Sequence, residues 1–292
     1  MSSILHRITP HIRDIGFPVR RLLPNIKARS VGPFVFLDHM GPTTFPAGVT
    51  TGDVRPHPHI GLATITYLFS GAIMHRDSIG SVQRIEPGDV NWMTAGRGIV
   101  HSERIPADIR DAQPNVEGLQ TWVALPRELE ECEPGFWHYP GTDLPRIAQD
   151  GVSVHVLVGN FAGQTSPVKA ASPTLYAALE FSAGSAFNVE AGYAERALYV
   201  VSGSVAIDGE AIESGTLVVL ASDVEVTVSA QSDARLMLVG GAPQDGPRTL
   251  WWNFVSSSKE RLEAAKQAWA EQDATQFPKV PGEMERIPLP AH

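Results

Sequence analysis

The stretch TITYLFSG at residues 64–71 decides the fold class, because it has the composition of a short β-strand that ends in a glycine turn. β-Branched and aromatic residues fill it, and such side chains pack well on a pleated sheet. Residues 198–203, LYVVSG, repeat this strand-and-turn unit in the second half of the chain. Each copy is followed by a further glycine turn, at Gly88 and at Gly215. A repeat of this long period predicts two related β-barrels in one chain.

Outside these two units the sequence predicts more short strands and almost no helix. Apolar runs alternate with Gly, Pro and Asp turns at hairpin spacing, which is typical of barrels and sandwiches. The predicted strands cover residues 32–38, 64–69, 82–86, 90–93, 99–104, 119–125, 152–158, 174–181, 197–203, 204–207, 216–220, 224–228 and 235–239. The rest of residues 1–50 is expected to be irregular, because prolines interrupt it repeatedly.

One helix is predicted, close to the C-terminal end of the chain. Ser257 is expected to cap it, with Glu260 as the second half of a capping box. One face of this helix is apolar and consists of Leu262, Ala265, Ala268 and Trp269. We expect the helix to end before Pro278 and to pack across a barrel.

A length of 292 residues fits two domains. Residues 126–145 are polar and rich in Glu, Pro and Gly, as expected of a linker. We therefore predict an N-terminal barrel in residues 1–130 and a C-terminal barrel in residues 131–292, the second ending in the helix and a tail. The expected fold class is all-β, with two packed jelly-roll-like barrels and a C-terminal helix.

Charge and cysteine content exclude several classes of partner and site. The chain has 23 Lys and Arg against 32 Asp and Glu, a net charge of −9. Nucleic-acid binders need a basic face, so we expect no direct nucleic-acid contact, although docking on a DNA-binding protein stays open. No apolar run approaches the roughly 18 residues of a membrane span, and the N-terminus has no signal-peptide core; we expect a cytoplasmic protein. Cys132 is the only cysteine, so an internal disulfide and a cysteine-based metal site are excluded.

Two short motifs point to a metal. In His57-Pro58-His59 and in His101-Ser102-Glu103, the outer residues are two apart, so on a strand they face the same way. If neighbouring strands bring the motifs together, they form a site of three histidines and one carboxylate. Imidazole suits Fe, Ni, Cu or Zn. Either motif alone is equally typical of surface or hydrogen-bonded histidines, but together they favour a metal site.

These motifs resemble the pirin family of the cupin superfamily. HPHIG at residues 57–61, WMTAGRG at 92–98 and HSE at 101–103 carry the resemblance, and PTLY at 173–176 and WNFV at 252–255 extend it. It implies a bicupin with metal only in the N-terminal barrel. It also implies that the metal, usually iron, is bound by His57, His59, His101 and Glu103.

The sequence departs from the family pattern at one position. Cupins usually have a Glu a few residues after the HPH-type motif, and Ala63 stands there instead, so Glu103 has to be the carboxylate ligand. The second barrel has Asn188-Val189-Glu190 and Tyr193 where the first has its histidines, and we predict that it is metal-free. The expected cofactor is one divalent ion, Fe(II) as first choice, with Ni, Cu, Zn or Mn as alternatives.

The resemblance implies an enzyme like quercetin 2,3-dioxygenase, an oxidoreductase that opens a small aromatic flavonol with O₂. Glu103 would then be catalytic and accept the proton of the metal-bound hydroxyl. The alternative is a non-enzymatic, metal- or redox-dependent transcriptional co-regulator that acts through protein–protein contacts. A third hypothesis is a bicupin with a different substrate. The sequence predicts no substrate-binding residues.

Three other residues have a weaker functional signal. His75, two residues before Asp77, is either a neighbour of the metal ligands or a fifth ligand, but a surface or hydrogen-bonded structural role is favoured. His39 is a candidate pocket residue near the mouth of the barrel. Cys132 lies among acidic residues, which should raise the pKa of its thiol and make it a poor nucleophile.

Overall fold

The computed structural model describes residues 2–290, which form two compact units built from β-strands. Unit N consists of residues 12–20, 37–141 and the chain from Asp245 onward; unit C consists of the chain up to His11, residues 21–36 and residues 142–244. The units are not continuous segments. The division of the chain into residues 1–130 and 131–292 stays a prediction about the order of the two barrels in the sequence. Residues 1, 291 and 292, which the predicted domains include, lie outside the described part.

Thirteen of the strands lie before residue 150. They are β1 (Ile4–Ile8), β2 (His11–Asp14), β3 (Pro18–Leu23), β4 (Phe34–Thr44), β5 (Val54–His59), β6 (Leu62–Ser70), β7 (Ile73–Asp77), β8 (Val82–Ile85), β9 (Val90–Thr94), β10 (Ile99–Arg104), β11 (Asn115–Ala124), β12 (Gly135–Tyr139) and β13 (Arg146–Gln149). A short helix α1 (Ala107–Arg110) and a 3₁₀ turn (Arg127–Leu129) interrupt them.

The later strands and the long helix complete the chain. They are β14 (Val152–Val158), β15 (Asn160–Phe161), β16 (Gln164–Thr165), β17 (Thr174–Phe181), β18 (Ala186–Val189), β19 (Glu195–Ser202), β20 (Ser204–Ile207), β21 (Glu210–Glu213), β22 (Leu217–Leu220), β23 (Val226–Ala230), β24 (Ala234–Gly241), β25 (Thr249–Trp251), β26 (Phe254–Ser256) and helix α2 (Lys259–Glu271). None of the described helices is long and apolar enough to cross a membrane.

Each unit pairs a seven-stranded sheet with a four-stranded sheet, in the same topology. In unit N the orders are β12-β9-β6-β11-β4-β3-β2 and β5-β10-β7-β8; in unit C they are β1-β22-β19-β24-β17-β14-β13 and β18-β23-β20-β21. The core of unit C takes side chains from both of its sheets, for example Leu198 and Leu238 from one and Val205 and Val228 from the other. The two sheets therefore pack face to face. The predicted all-β class with a C-terminal helix is confirmed. The described strand pairings do not close the sheets into a barrel, so each unit is a sandwich of two sheets.

The repeat found in the sequence is confirmed by the position of its two copies. Strands β6 and β19, which contain the two copies, each occupy the third place of a seven-stranded sheet. The glycines that end them, Gly71 and Gly203, have φ of +78° and +84°. A Cβ at Gly203 would lie 2.3 Å from the backbone oxygen of Asp233, so the turn needs a residue without a side chain.

The expectation that residues 1–50 are irregular outside 32–38 is wrong, because β1, β2 and β3 also lie there. Strand β1 pairs antiparallel with β22, about two hundred residues away in sequence, with Ile8 opposite Leu217. Its exposed middle residues give no alternating pattern that could have predicted it. The predicted linker likewise contains β12, an edge strand paired to β9.

Helix α2 is confirmed, but its cap is Ser258 rather than Ser257, so the residue three positions after the cap is Arg261 and the predicted capping box with Glu260 is wrong. Ser258 has an extended backbone, and its Oγ accepts a hydrogen bond from Arg261 N at 3.1 Å. Ser257 is held elsewhere, since both its N–H and its hydroxyl donate to the buried carboxylate of Glu130. The predicted apolar face is confirmed for Leu262, Ala265 and Trp269, which are buried; Ala268 is only partly buried.

We expect Ser258→Ala to destabilise unit N by about 1 kcal/mol, because an N–H of the first helical turn loses its acceptor. Urea unfolding measures the change. Ser258→Thr is the matched control, since its hydroxyl can cap the helix and can also donate to Glu260 as that of Ser258 does. An equal loss in both variants would contradict the assignment of the cap.

Candidate metal centre

The four-stranded sheet of unit N places both histidine motifs on one face. Strand β10 lies between β5 and β7, antiparallel to both. The Cα of His101 is opposite that of His57 on one side and that of Asp77 on the other. Directly opposed residues project from the same face of a sheet. The pairing therefore brings together residues that are more than forty positions apart in sequence.

Three imidazoles converge in this sheet. One ring nitrogen from each of His57, His59 and His101 lies within 4.8 Å of the others, and all three residues are buried. His59 Nε2 and His101 Nε2 are 3.1 Å apart. At metal–nitrogen bonds of about 2.1 Å, two nitrogens at right angles on one ion are about 3 Å apart. The cluster therefore has the dimensions to hold a metal ion.

Backbone carbonyls orient two of the rings. His57 Nδ1 lies 2.9 Å from the carbonyl oxygen of Arg55, and His59 Nδ1 lies 3.1 Å from that of Asn253. A carbonyl oxygen can only accept, so Nδ1 carries the proton in both rings. The lone pair of each ring is then on Nε2, as a metal ligand requires.

A buried carboxylate orients the third ring through a second histidine. His75 Nε2 donates to Asp77 Oδ2 at 2.9 Å, which leaves Nδ1 of a neutral His75 as an acceptor. His101 Nδ1 lies 3.3 Å from this nitrogen and donates to it. Asp77 is fixed in turn by the N–H groups of Ile79 and Ser81, at 3.1 and 2.8 Å. The chain Asp77–His75–His101 thus directs the Nε2 lone pair of His101 towards the cluster.

Burial keeps the cluster uncharged. It lowers the pKa of His57 to about 4 and moves the pKa of His59 and of His101 well below the usual range. The neighbouring imidazoles lower these values further, because a second positive charge in the same space is unfavourable. Neutral imidazole is the form that binds metal, so the site needs no deprotonation at neutral pH.

Glu103 lies on the same strand, but its carboxylate is not one of the three ligand atoms that cluster within 4.8 Å. Gln120 Nε2 of β11 donates to Glu103 Oε1 at 3.3 Å, and Thr66 Oγ1 donates to the Gln120 amide oxygen at 2.8 Å. Burial raises the pKa of the Glu103 carboxyl to about 7, against these hydrogen bonds, which lower it. Its role as a fourth metal ligand stays a prediction.

Aromatic rings enclose the cluster. The centroid of Trp122 is 5.1 Å from that of His59, edge to face, and Phe136 stacks on His75 at 4.3 Å. Phe136 comes from β12, in the segment predicted to be a linker. These side chains remove water from the imidazoles, which is the physical cause of their low pKa values.

His75 is buried and hydrogen-bonded to Asp77 and His101, which places it next to the candidate ligands, the alternative that the sequence analysis disfavoured. His39 is also fully buried, 3.0 Å from an Arg20 nitrogen and 3.2 Å from Glu117. The pKa of Cys132 is raised as predicted, although burial is a larger cause than the neighbouring Glu133.

Unit C has no counterpart of this cluster among the described residues. Strand β18, which corresponds to β5, carries Asn188, whose amide oxygen accepts from Thr227 at 2.9 Å. Glu190 accepts from the N–H of Ala162, and the Tyr193 hydroxyl accepts from that of Asn160. These side chains are occupied in local hydrogen bonds.

Sequence inspection missed the residues that orient the site. Asn253 and Arg55 contribute only a backbone oxygen, so no side-chain pattern could reveal them. Gln120 shares its strand with three other polar residues, Asn115, Glu117 and Thr121, so its sequence position gives no distinctive signal.

The fold and this site define a protein of two cupin domains with a three-histidine centre in one of them. Residues 16–123 match the Pirin family, and residues 176–275 match the Pirin C-terminal cupin domain. A pirin-like protein of Caulobacter vibrioides is 46% identical over 260 residues, which cover 88% of this chain and 90% of the relative. The chain belongs to the pirin family.

Two further similarities concern proteins named for an activity. A protein of Pseudomonas aeruginosa named as a candidate quercetin 2,3-dioxygenase is 39% identical over 277 residues, covering 94% of this chain and 86% of that protein. The crystal structure of quercetin 2,3-dioxygenase from Acinetobacter baumannii superimposes with a TM-score of 0.91 at 35% identity, covering 99% and 96% of the two chains.

We expect His75→Phe to weaken metal binding about 10-fold, because His101 loses the acceptor that fixes its tautomer. Phenylalanine keeps the stacking on Phe136. Competition with a chromogenic chelator measures the affinity for Ni(II). His138→Phe is the control, since that ring bonds to Asn91 outside the cluster. Unchanged affinity in His75→Phe would show that the chain through Asp77 does not orient the ligand.

The metal-free protein should lose stability at Glu103 as the pH rises. The pKa is 4.5 in the unfolded chain and about 7 in the folded one, so the folded state holds the proton more tightly. The contribution is fully present below pH 4.5 and is lost as the pH rises through 7. The shift from 4.5 to about 7 sets an upper limit of about 3 kcal/mol, and the partial exposure of the side chain makes the contribution smaller than this.

Urea unfolding in excess chelator between pH 4 and 8 checks this for the parent and for Glu103→Gln. The variant cannot titrate at this position. Its stability relative to the parent should increase steadily from pH 4.5 to 7.5. Parallel curves would mean that the Glu103 carboxyl titrates normally.

Proposed function

We propose that this pirin is a metal-dependent dioxygenase that acts on quercetin-type flavonols with O₂. The observation that carries the proposal is the convergence of three neutral imidazoles on the face of β10 from which the Glu103 carboxyl group also projects. Such a site can bind a divalent ion and exchange a proton at neutral pH. The similarity to proteins named for quercetin 2,3-dioxygenase activity supports the same conclusion.

The proposed ligands are His57, His59, His101 and Glu103, and the proposed ion is Fe(II). Imidazole and carboxylate also suit Ni, Cu, Zn and Mn, so the donor set does not select one ion. When bound, the ion supplies a Lewis acid that lowers the pKa of a coordinated hydroxyl, and a redox partner for O₂. If Glu103 joins the three histidines, these four side chains would hold the ion, and it would supply its chemistry to a small molecule bound beside them.

Glu103 is the proposed base. Burial raises the pKa of this carboxyl to about 7 in the metal-free protein, and a divalent ion beside it would favour the ionised form, which can accept the flavonol hydroxyl proton. Gln120 donates to Oε1 and so leaves Oε2 as the oxygen that can take the proton. Thr66 fixes the amide of Gln120 through its own hydrogen bond, which keeps the carboxylate in one orientation.

The surroundings of the imidazoles suit a planar aromatic substrate. Trp122 meets His59 edge to face and Phe136 stacks on His75, so aromatic rings border the cluster. Aromatic rings favour offset or edge-to-face contacts with other rings. They also limit the entry of water, which would compete for the ion and for the proton of the substrate.

We expect the iron-loaded protein to consume O₂ with quercetin and to release carbon monoxide. Glu103→Gln should reduce the rate at least 100-fold, because a general base contributes typically 10² to 10⁴. An oxygen electrode measures the rate, and gas chromatography detects the product. Equal rates for the parent and the variant would overturn the role of Glu103.

The control variant is Glu117→Gln, a carboxylate of the same strand as Gln120 that contacts His39 and not the cluster. It should retain the rate of the parent. A metal analysis of each preparation separates loss of the base from loss of the ion. An iron-loaded parent without O₂ uptake would overturn the flavonol dioxygenase itself.

The remaining aspects of function are predictions from the sequence. We predict a transcriptional co-regulator as the alternative role, no direct contact with nucleic acid, and a cytoplasmic location.

A further inference from the structure

The chain that follows helix α2 lies against the strands that carry the candidate metal ligands. This segment, residues 272–290, is called the strap below. Its Ile287 N–H donates to the carbonyl oxygen of Pro56 at 2.8 Å, directly before His57. Trp269 of α2 donates from Nε1 to the Ile287 carbonyl at 3.0 Å and so ties the strap to the helix. Strand β5 is an edge strand, and the strap bonds to it there.

One carboxylate of the strap binds two side chains of β10. Glu283 Oε1 accepts from Ser102 Oγ at 2.8 Å and from Arg104 Nε at 2.9 Å. A second nitrogen of the Arg104 guanidinium donates to Oε2, so the pair is bidentate. The Glu283 side chain is only 8% exposed, against 20% for that of Arg104. A buried, bidentate contact of this kind is strong and geometrically specific.

The two residues that Glu283 binds alternate along β10 with two of the candidate metal ligands. His101 and Glu103 project from one face of β10, whereas Ser102 and Arg104 project from the other, because successive side chains of a strand point to opposite faces. The ladder between β10 and β5 is irregular between His101 and Glu103. On this side β5 fixes the backbone less well at the residues from which two candidate ligands project, while the pairing with β7 runs unbroken from His101 to Arg104.

We propose that Glu283 is a positioning residue of the metal centre, which holds β10 at its irregular point so that His101 and Glu103 face the ion together. Docking of the strap and binding of the metal are then linked. By reciprocity, whatever releases the strap weakens metal binding, and metal binding holds the strap in place. The proposal rests on the metal site described above and extends it to a segment some 180 residues away in sequence.

Removing this carboxylate should not unfold the unit. Asp53 accepts from the N–H of Ile105 at 2.9 Å and from Arg110 at 2.9 Å, independently of Glu283. Asp53 also lies 3.2 Å from Arg104, so the Arg104 guanidinium keeps an acidic partner when Glu283 is changed. The end of β10 therefore stays anchored, and a change at Glu283 acts on the part of the strand that bears the ligands.

The test compares Glu283→Gln with Glu285→Gln in the full chain, with Ni(II) as the probe. Glu285 is a matched control, because it lies 3.5 Å from Arg104 but is 55% exposed, and exposed ion pairs contribute little. We expect Glu283→Gln to bind Ni(II) about 10-fold more weakly than the parent, and Glu285→Gln to bind as the parent does. Circular dichroism confirms that each variant is folded.

Limited trypsin digestion provides the second readout. Lys279 and Arg286 lie within the strap, and cleavage there requires that it undock. Ni(II) should slow this cleavage at least 5-fold in the parent and have a smaller effect in Glu283→Gln. A purely structural role of Glu283 would speed cleavage equally with and without the metal and would leave the affinity unchanged.

The outcomes separate the two proposals. If the parent binds Ni(II) and Glu283→Gln binds it equally well, the positioning role is overturned and the metal site stands. If the parent does not bind Ni(II), Fe(II) or Mn(II), the metal site is overturned and the positioning role with it. A Glu283→Asp variant that recovers affinity towards the parent value would support positioning by the carboxylate.

Discussion

The antiparallel pairing of β10 with β5 and β7 is the constraint on which the candidate centre depends. It sets His101 opposite His57 on one side and opposite Asp77 on the other. Because the side-chain period of a strand is two, a register slip of one residue would turn both histidine motifs to the wrong face. The geometry of the site is therefore a consequence of sheet register, and the register is fixed by the buried faces of the sandwich.

Burying several imidazoles away from water is unfavourable in free energy, and the hydrogen bonds around the rings reduce this cost. Burial keeps the rings neutral, and each Nδ1 has a hydrogen-bond acceptor, either a backbone carbonyl or His75. An isolated buried polar group would be costly, whereas a fully bonded network is rigid. The Asn253 carbonyl belongs to the late part of the chain, which returns to unit N and also contributes Glu283. The centre is thus built from strands in the first half of the sequence and from the C-terminal part of the chain.

Unit C shows how little the fold alone says about function. Its sheets have the same strand orders as those of unit N, yet its interior is filled by aliphatic side chains such as Val189 and Val226. The strand that corresponds to β5 has no histidine and bonds through Asn188 to its neighbour. The same architecture therefore supports a polar centre in one unit and a packed apolar core in the other, according to a few side chains.

The sequence by itself determined many of the strands, the repeat, the helix and the three histidines, because these depend on side-chain periodicity and on pairs two residues apart. Pairing partners distant in sequence leave no such periodic mark, so β1, β12 and the assembly of each unit from separate segments followed only from the tertiary structure. The acceptors of the histidine Nδ1 atoms were equally invisible, since Arg55 and Asn253 contribute backbone oxygens that every residue has. Residue types near one another on a strand can be recognised from the sequence; tautomer, burial and pKa depend on what the folded chain packs around them.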